Sequence, residues 1–147
     1  MFCSKLGNLQ RLSKRLPVIH NNHVRLLSDL KIKQLSYNKY GDPSEVVALE
    51  EKTVQYDLGR NDVLVRMLAS PVNPADINAI QGSYPIKPPL PGVGGGEGVG
   101  EVIAAGEEAG LSVGDWVLPG GVMTGTWKTH ALGNKDDWIK VGPDLRS

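Results

Sequence analysis

The sequence predicts a mainly β domain, a small, partly open β-barrel with one or two short helices. Three observations lead to this prediction. Roughly seven short apolar runs are separated by turn residues, glycine is abundant at 18 of 147 residues, and one stretch alone has helical features. With 40% hydrophobic residues, a chain of this length can form one domain with its own core.

The first predicted strands lie before residue 70. Residues 34–40 alternate loosely, residues 41–43 (Gly-Asp-Pro) form a turn, and residues 46–49 are a second short apolar run. Asp62 leads into residues 63–69, which are apolar except at Arg66. This continuous apolar run is typical of a buried strand.

Further strands are predicted after residue 98. Residues 99–105 form one of them, and an acidic turn bounded by Gly106 and Gly110 follows. Three more runs are predicted as strands: residues 116–118, 126–132 and 138–141. Each contains one tryptophan, namely Trp116, Trp127 and Trp138. We predict that these tryptophans pack within the domain, since no basic patch surrounds them that would suit a base-stacking platform.

One stretch between the strands has the features of a short helix. Asn73 can cap it, and Pro74 suits the first helical position because it has no N–H to lose. Asp76 lies in the first turn, where the helix dipole favours a carboxylate, and Gly82 is placed to end the helix. Tyr84 is therefore predicted to lie just beyond a helix end.

Six of the nine residues from 92 to 100, here called the glycine run, are glycine. Glycine permits positive φ or a close backbone approach. No window fits G-x-G-x-x-G or G-x-x-x-x-G-K-[S/T], the glycine patterns of phosphate-binding loops. Glu97 would also place a negative charge where a phosphate should lie. We therefore predict a close-packed turn.

A longer pattern resembles a known family. It consists of the run VNPADINAIQGSYPIKPPLPGVGGGEGVGEV, followed by GDWV and GTWKTHA. The pattern resembles the N-terminal catalytic, GroES-like domain of the zinc-independent medium-chain dehydrogenase/reductases, and most of all the mitochondrial trans-2-enoyl thioester reductases. The resemblance covers residues 35–145 in order. It implies a GroES-like domain over residues 29–147, with the family's Rossmann domain absent from this chain.

The resemblance also implies a reaction. In this family a hydride passes from NADPH to Cβ of a 2-enoyl thioester of CoA or acyl-carrier protein, and the resulting enolate is protonated at Cα. The tyrosine of the family's Q-G-x-Y motif is regarded as the proton donor, and it falls on Tyr84. Asn73, Asp76 and Asn78 are further candidates that position substrate or cofactor, although capping explains Asn73 equally well.

The resemblance places the NADPH site and the surface of the family's homodimer mostly in the Rossmann domain. We therefore expect this chain alone to be inactive. No metal is expected either, because Gly96 stands where zinc-dependent relatives carry a histidine. From residue 29 onward the chain has no cysteine and one histidine, His130, predicted to lie on the surface, whereas zinc needs three or four N or S ligands.

The first 28 residues are predicted to be a mitochondrial targeting peptide. They contain five basic residues and no acidic one, and leucines recur among them at helical spacing. A disordered basic arm is the alternative. Together with the resemblance, this segment predicts the mitochondrial matrix. The sole cysteine, Cys3, lies in it, so no disulfide is expected in the remaining chain.

The remaining chain is acidic, with 11 basic and 16 acidic residues. This balance argues against nucleic-acid binding, which needs clustered Lys and Arg. No apolar run approaches the roughly 18 residues that indicate a membrane span.

Two other functions stay open. One is a quinone or other activated-alkene reductase of the same superfamily, which would not need Tyr84 as proton donor. The other is a non-catalytic mitochondrial module that binds partner proteins.

Overall fold

The structure, a computed structural model, describes residues 28–142. The predicted targeting peptide therefore lies outside the described residues, except for Ser28, and so does Cys3. In chain order the β-strands and α-helices are β1 (Ser28–Tyr37), α1 (Pro43–Val46), β2 (Ala48–Tyr56), β3 (Asp62–Ala69), α2 (Pro74–Gln81), β4 (Gly92–Val93), β5 (Val99–Ala105), β6 (Trp116–Pro119), β7 (His130–Asn134) and β8 (Trp138–Lys140), and a 3-10 helix (Lys135–Asp137) joins the last two strands. Strands dominate, which confirms the mainly β prediction.

The strands form two open, antiparallel sheets. The first has the order β2-β1-β4 and the second the order β7-β3-β5-β6-β8. The segment before β7 links the two sheets. Leu35 N donates to Trp127 O at 2.9 Å on the side of β1, and Met67 N donates to Thr129 O at 2.9 Å on the side of β3. The sheets are thus joined along one line without closing into a complete barrel.

One cluster of buried apolar residues lies on one face of the five-stranded sheet. Val63 and Val65 of β3, Val102 of β5 and Val117 of β6 are fully buried there, and Trp138 of β8 packs against them. The predicted strand over residues 63–69 is present, but only residues 63–65 are buried, whereas Arg66, Leu68 and Ala69 are exposed. Each buried valine contributes roughly 1.5–3 kcal/mol by removing its side chain from water.

Trp116 was predicted to pack in the interior, but the structure leaves it only half-buried. Its neighbour Val117 is fully buried instead. Successive residues of a strand point to opposite faces of the sheet, so only one of the two can face the core. The sequence pattern does not distinguish Trp116 from Val117. The pairing of β6 with β5 determines which of the two faces the core.

Neither α1 nor the full length of β2 was predicted from the sequence. α1 occupies part of the expected turn and apolar run, and Asp42 Oδ1 caps it by accepting from Ser44 N at 2.8 Å. β2 extends to Tyr56 through the charged residues 50–52, which have no apolar alternation. β2 pairs only with β1 and is an edge strand in the described sheet. Charged side chains are common on such edges because they oppose further pairing.

The strand predicted over residues 126–132 begins only at His130. The three residues before it form the link between the sheets. His130 was predicted on the surface, and it is half-buried. Burial, and then the charge of Arg66, lower the pKa of His130 below its ordinary value.

Candidate active site

The helix predicted before Tyr84 is confirmed as α2. It ends at Gly82, which adopts the left-handed conformation with φ 74°. Beyond it, the chain is held against the last turn, because Ser83 N and Tyr84 N donate to the carbonyl of Asn78 at 2.9 and 3.1 Å, and Gly82 N donates to Ala79 O at 3.1 Å. The backbone of Tyr84 is therefore positioned by the helix end.

Asp76 joins the start of α2 to the glycine run. Its side chain is buried, with 2% of the residue exposed. Asp76 Oδ2 accepts from Asn73 N at 2.7 Å, as an acidic residue in the first helical turn can, and Asp76 Oδ1 accepts from Gly96 N at 2.8 Å. The same carboxylate thus satisfies two backbone donors 23 residues apart in sequence.

The glycine run is packed against the segment from Gly125 to Trp127. A Cβ on Gly94 would overlap the ring of Trp127, and Gly95 has φ 91°, which favours glycine. Gly125 N and Thr126 N both donate to Gly95 O, at 2.9 and 3.0 Å. The prediction of a close-packed turn is confirmed.

A cleft of about 760 Å³, here called the Tyr84 cleft, lies between the start of α2, the glycine run and the loop of residues 120–125. Tyr84, Asn73 and Asp76 line it, together with Glu97. Tyr84 is half-buried, and its hydroxyl has no hydrogen-bond partner within residues 28–142. A tyrosine without an internal partner remains available to a ligand.

The opposite wall of the Tyr84 cleft is apolar. Its members come from the ends of two neighbouring strands and the loop after them: Val99, Leu118, Pro119, Val122 and Met123. Together the two walls combine a few polar groups with an apolar surface, which is typical of sites for small organic ligands.

The charged groups of the cleft are acidic. Asn73 Nδ2 donates to Glu97 Oε2 at 3.1 Å, and Asp76 is the second carboxylate. Among residues 28–142, no lysine, arginine or histidine lines the Tyr84 cleft. The cleft therefore fits a neutral or apolar ligand group and does not fit the phosphates of a nucleotide.

Of the four candidate residues, the structure brings three to the cleft. Asn78 lies outside the cleft lining with an exposed side chain, and its carbonyl accepts at the helix end. Glu97 and Met123 also line the cleft, and neither was predicted as a site residue. Glu97 had been considered only as an obstacle to phosphate, and no local pattern marks Met123.

Within the described residues, no three His, Cys, Asp or Glu side chains are grouped so that they could hold a metal ion. In the same part of the chain, no helix is long and apolar enough to cross a membrane.

Replacing Asp76 by alanine is expected to lower the free energy of unfolding by about 3 kcal/mol, because two partly buried N–H groups lose a charged acceptor. Urea unfolding of the two proteins measures this difference. Asn78→Ala is the matched control in the same helix, and its exposed side chain predicts a change within about 0.5 kcal/mol. Equal stability of Asp76→Ala and the unmodified protein would contradict the role of Asp76 in holding the start of α2 to the glycine run.

Comparison with known proteins identifies the family. Residues 59–141 match the alcohol dehydrogenase GroES-like domain. The mitochondrial enoyl-[acyl-carrier-protein] reductase of Mus musculus is 46% identical over 126 residues, which are 85% of this chain and 34% of that protein. The chain thus spans about a third of the length of this relative.

Solved structures agree with this match. The complex of Etr1p with NADP and crotonyl-CoA has a TM-score of 0.71 and 41% identity, over 76% of this chain and 34% of that chain. Etr1p comes from Candida tropicalis, where it is also solved as a heterodimer with Etr2p. A protein of Bacillus thuringiensis that is named as a NADPH:quinone reductase has a TM-score of 0.65 and 36% identity, over 78% and 34% of the two chains. With the family match over more than half of its length, this chain belongs to the alcohol dehydrogenase GroES-like domain family.

Proposed function

We propose that this chain provides the catalytic domain of a mitochondrial, NADPH-dependent trans-2-enoyl thioester reductase, with Tyr84 as the proton donor. The position of Tyr84 carries the proposal. The helix end fixes its backbone, its hydroxyl has no partner within residues 28–142, and it faces a cleft with an apolar wall. The 46% identity to an enoyl-[acyl-carrier-protein] reductase supports the same function.

In this reaction the reduced nicotinamide supplies the hydride that reaches Cβ of the thioester. The protein's own groups orient the substrate and deliver the proton. The apolar wall of Val99, Leu118 and Val122 suits the acyl chain, which is itself apolar. The hydroxyl of Tyr84 then donates its proton to Cα as negative charge develops on the enolate, which is general-acid catalysis.

Asp76 contributes to the proposed site by holding two of its segments together. By holding Asn73 N and Gly96 N at 2.7 and 2.8 Å, it sets the distance between the start of α2 and the glycine run, and hence the width of the cleft. A site that hydrogen bonds already hold in place does not have to reorganise when substrate binds.

We further propose that the nucleotide phosphates bind outside residues 28–142, since the Tyr84 cleft contains carboxylates and no cation in the described part of the chain. A carrier-bound or CoA-bound 2-enoyl group is the proposed substrate. The mitochondrial matrix is the proposed compartment, because the relatives are named as mitochondrial and the first 28 residues are basic. A homodimer formed through a further domain stays a prediction.

Two observations favour other functions. The similarity to a NADPH:quinone reductase favours reduction of quinones, at a lower identity of 36%. An apolar groove lined by the exposed side chains of Leu49, Leu68 and Val72 favours a partner-binding module.

A chimera tests the proposal. Residues 29–142 replace the matched third of the mouse relative, and NADPH oxidation is followed with crotonyl-CoA and, separately, with a quinone. We expect the chimera to oxidise NADPH when crotonyl-CoA is present and not in its absence. A chimera that binds NADPH and reduces only the quinone would favour the alternative reductase. A chimera that binds NADPH but reduces neither compound would favour the function of a partner-binding module.

A further inference from the structure

Met123 has an unusual backbone conformation. Its φ is 55°, and it is the one residue other than glycine with positive φ among residues 28–142. Gly121 and Gly125, which accept this conformation more readily, lie two residues away on either side. Strained backbone of this kind persists where surrounding structure holds it, and it is frequent at ligand sites.

The loop that carries Met123 is anchored to the glycine run. Gly125 N donates to Gly95 O at 2.9 Å, and Thr126 Oγ1 donates to Glu97 O at 2.7 Å. A Cβ built on Gly96 would lie 3.5 Å from Met123 Sδ and 3.6 Å from Met123 N. The side chain of Met123 therefore lies over Gly96, whose N–H is held by Asp76.

Met123 belongs to the apolar wall together with Leu118 and Val122. It is also next to the polar groups of the cleft, since a Cβ built on Gly96 would lie close to both Met123 Sδ and Asp76 Oδ1. An acyl chain that lies along the apolar wall meets the Met123 side chain. Methionine is flexible and polarizable, so it can adjust to several chain shapes while it still occupies volume.

We propose that Met123 is a specificity-determining residue, whose side chain limits the length of the acyl group that the Tyr84 cleft admits. The proposal rests on the proposed function, because it takes the ligand to be an acyl thioester. It predicts that removing the side chain favours long acyl groups over short ones.

The test uses the chain itself and saturated thioesters, which undergo no reduction. Butanoyl-CoA, octanoyl-CoA and dodecanoyl-CoA are titrated into the protein, and the backbone amide of Gly96 is followed by NMR. Met123→Gly is expected to raise the affinity for dodecanoyl-CoA relative to butanoyl-CoA by about tenfold. Met123→Leu, which keeps most of the volume, is expected to retain the unmodified ratio.

Thr124→Gly is the matched control, since it adds a glycine to the same loop at a residue outside the lining of the Tyr84 cleft. An unchanged ratio in Met123→Gly, or an equal change in Thr124→Gly, would overturn the proposal. So would an absence of binding by every thioester. Crotonyl-CoA reduction by the chimera judges the proposed function separately, because crotonyl-CoA is short enough to fit with or without Met123.

Discussion

Replacing Tyr84 by phenylalanine in the chimera is expected to lower kcat for crotonyl-CoA reduction by roughly 10²–10⁴-fold. The substitution removes one hydroxyl and keeps the ring, so the wall of the cleft is preserved. Because the hydroxyl acts on the developing enolate, KM is expected to change far less than kcat. NADPH oxidation at saturating crotonyl-CoA measures the effect.

Tyr56→Phe is the matched control. Tyr56 is half-buried at the end of β2, outside the lining of the Tyr84 cleft, so the same chemical change there should leave kcat nearly unaltered. If Tyr84→Phe reduces crotonyl-CoA as fast as this control, the proton-donor role is wrong. The proton would then have to come from another group of the cleft or from water.

Gly95→Ala is expected to lower the free energy of unfolding by about 3 kcal/mol or more. The positive φ of 91° contributes about 1–2 kcal/mol of this for a residue with a Cβ. The rest comes from overlap, since the new Cβ would meet Thr126 Oγ1 and would lie 2.8 Å from Trp127 Nε1. Neither group can move freely, because Trp127 Nε1 donates to Pro71 O at 2.9 Å and Thr126 Oγ1 donates to Glu97 O at 2.7 Å.

Gly96→Ala serves as the neighbouring control. A Cβ there meets no atom closer than 3.4 Å, and the φ of Gly96 lies outside the left-handed region. Its cost is therefore expected to stay within about 1 kcal/mol. Urea unfolding of both variants gives the comparison. Similar losses at the two positions would contradict the close-packed turn.

The elements that the sequence predicted well depend on neighbouring residues. Asn73, Pro74 and Gly82 bound α2 through interactions that span a few positions, and β3 is marked by a nearly continuous apolar run. The edge strand β2 carries no such signal, because its charged residues are compatible with either a loop or a strand. Only its pairing with β1 makes it a strand.

The candidate site likewise contains residues whose place local sequence predicts and residues whose place it does not. Tyr84 was predicted as a site residue because a family motif and a helix end coincide at one place in the chain. Asn78 belongs to the same local stretch, yet the helix turns its side chain away from the cleft lining. Local sequence could not separate these two residues, since the cleft has a second wall that is distant in sequence.

The sequence by itself thus determined the mainly β class, the helix α2 and its end, and the identity of Tyr84 as a candidate. The tertiary structure alone decided that Asp76 bonds to Gly96, that Met123 lies over the same glycine, and that Val117 rather than Trp116 enters the core. The physical reason is the distance along the sequence over which each interaction acts. Capping, turn formation and alternation act over a few residues, whereas the cleft and the core are made by segments that only sheet pairing and packing bring together.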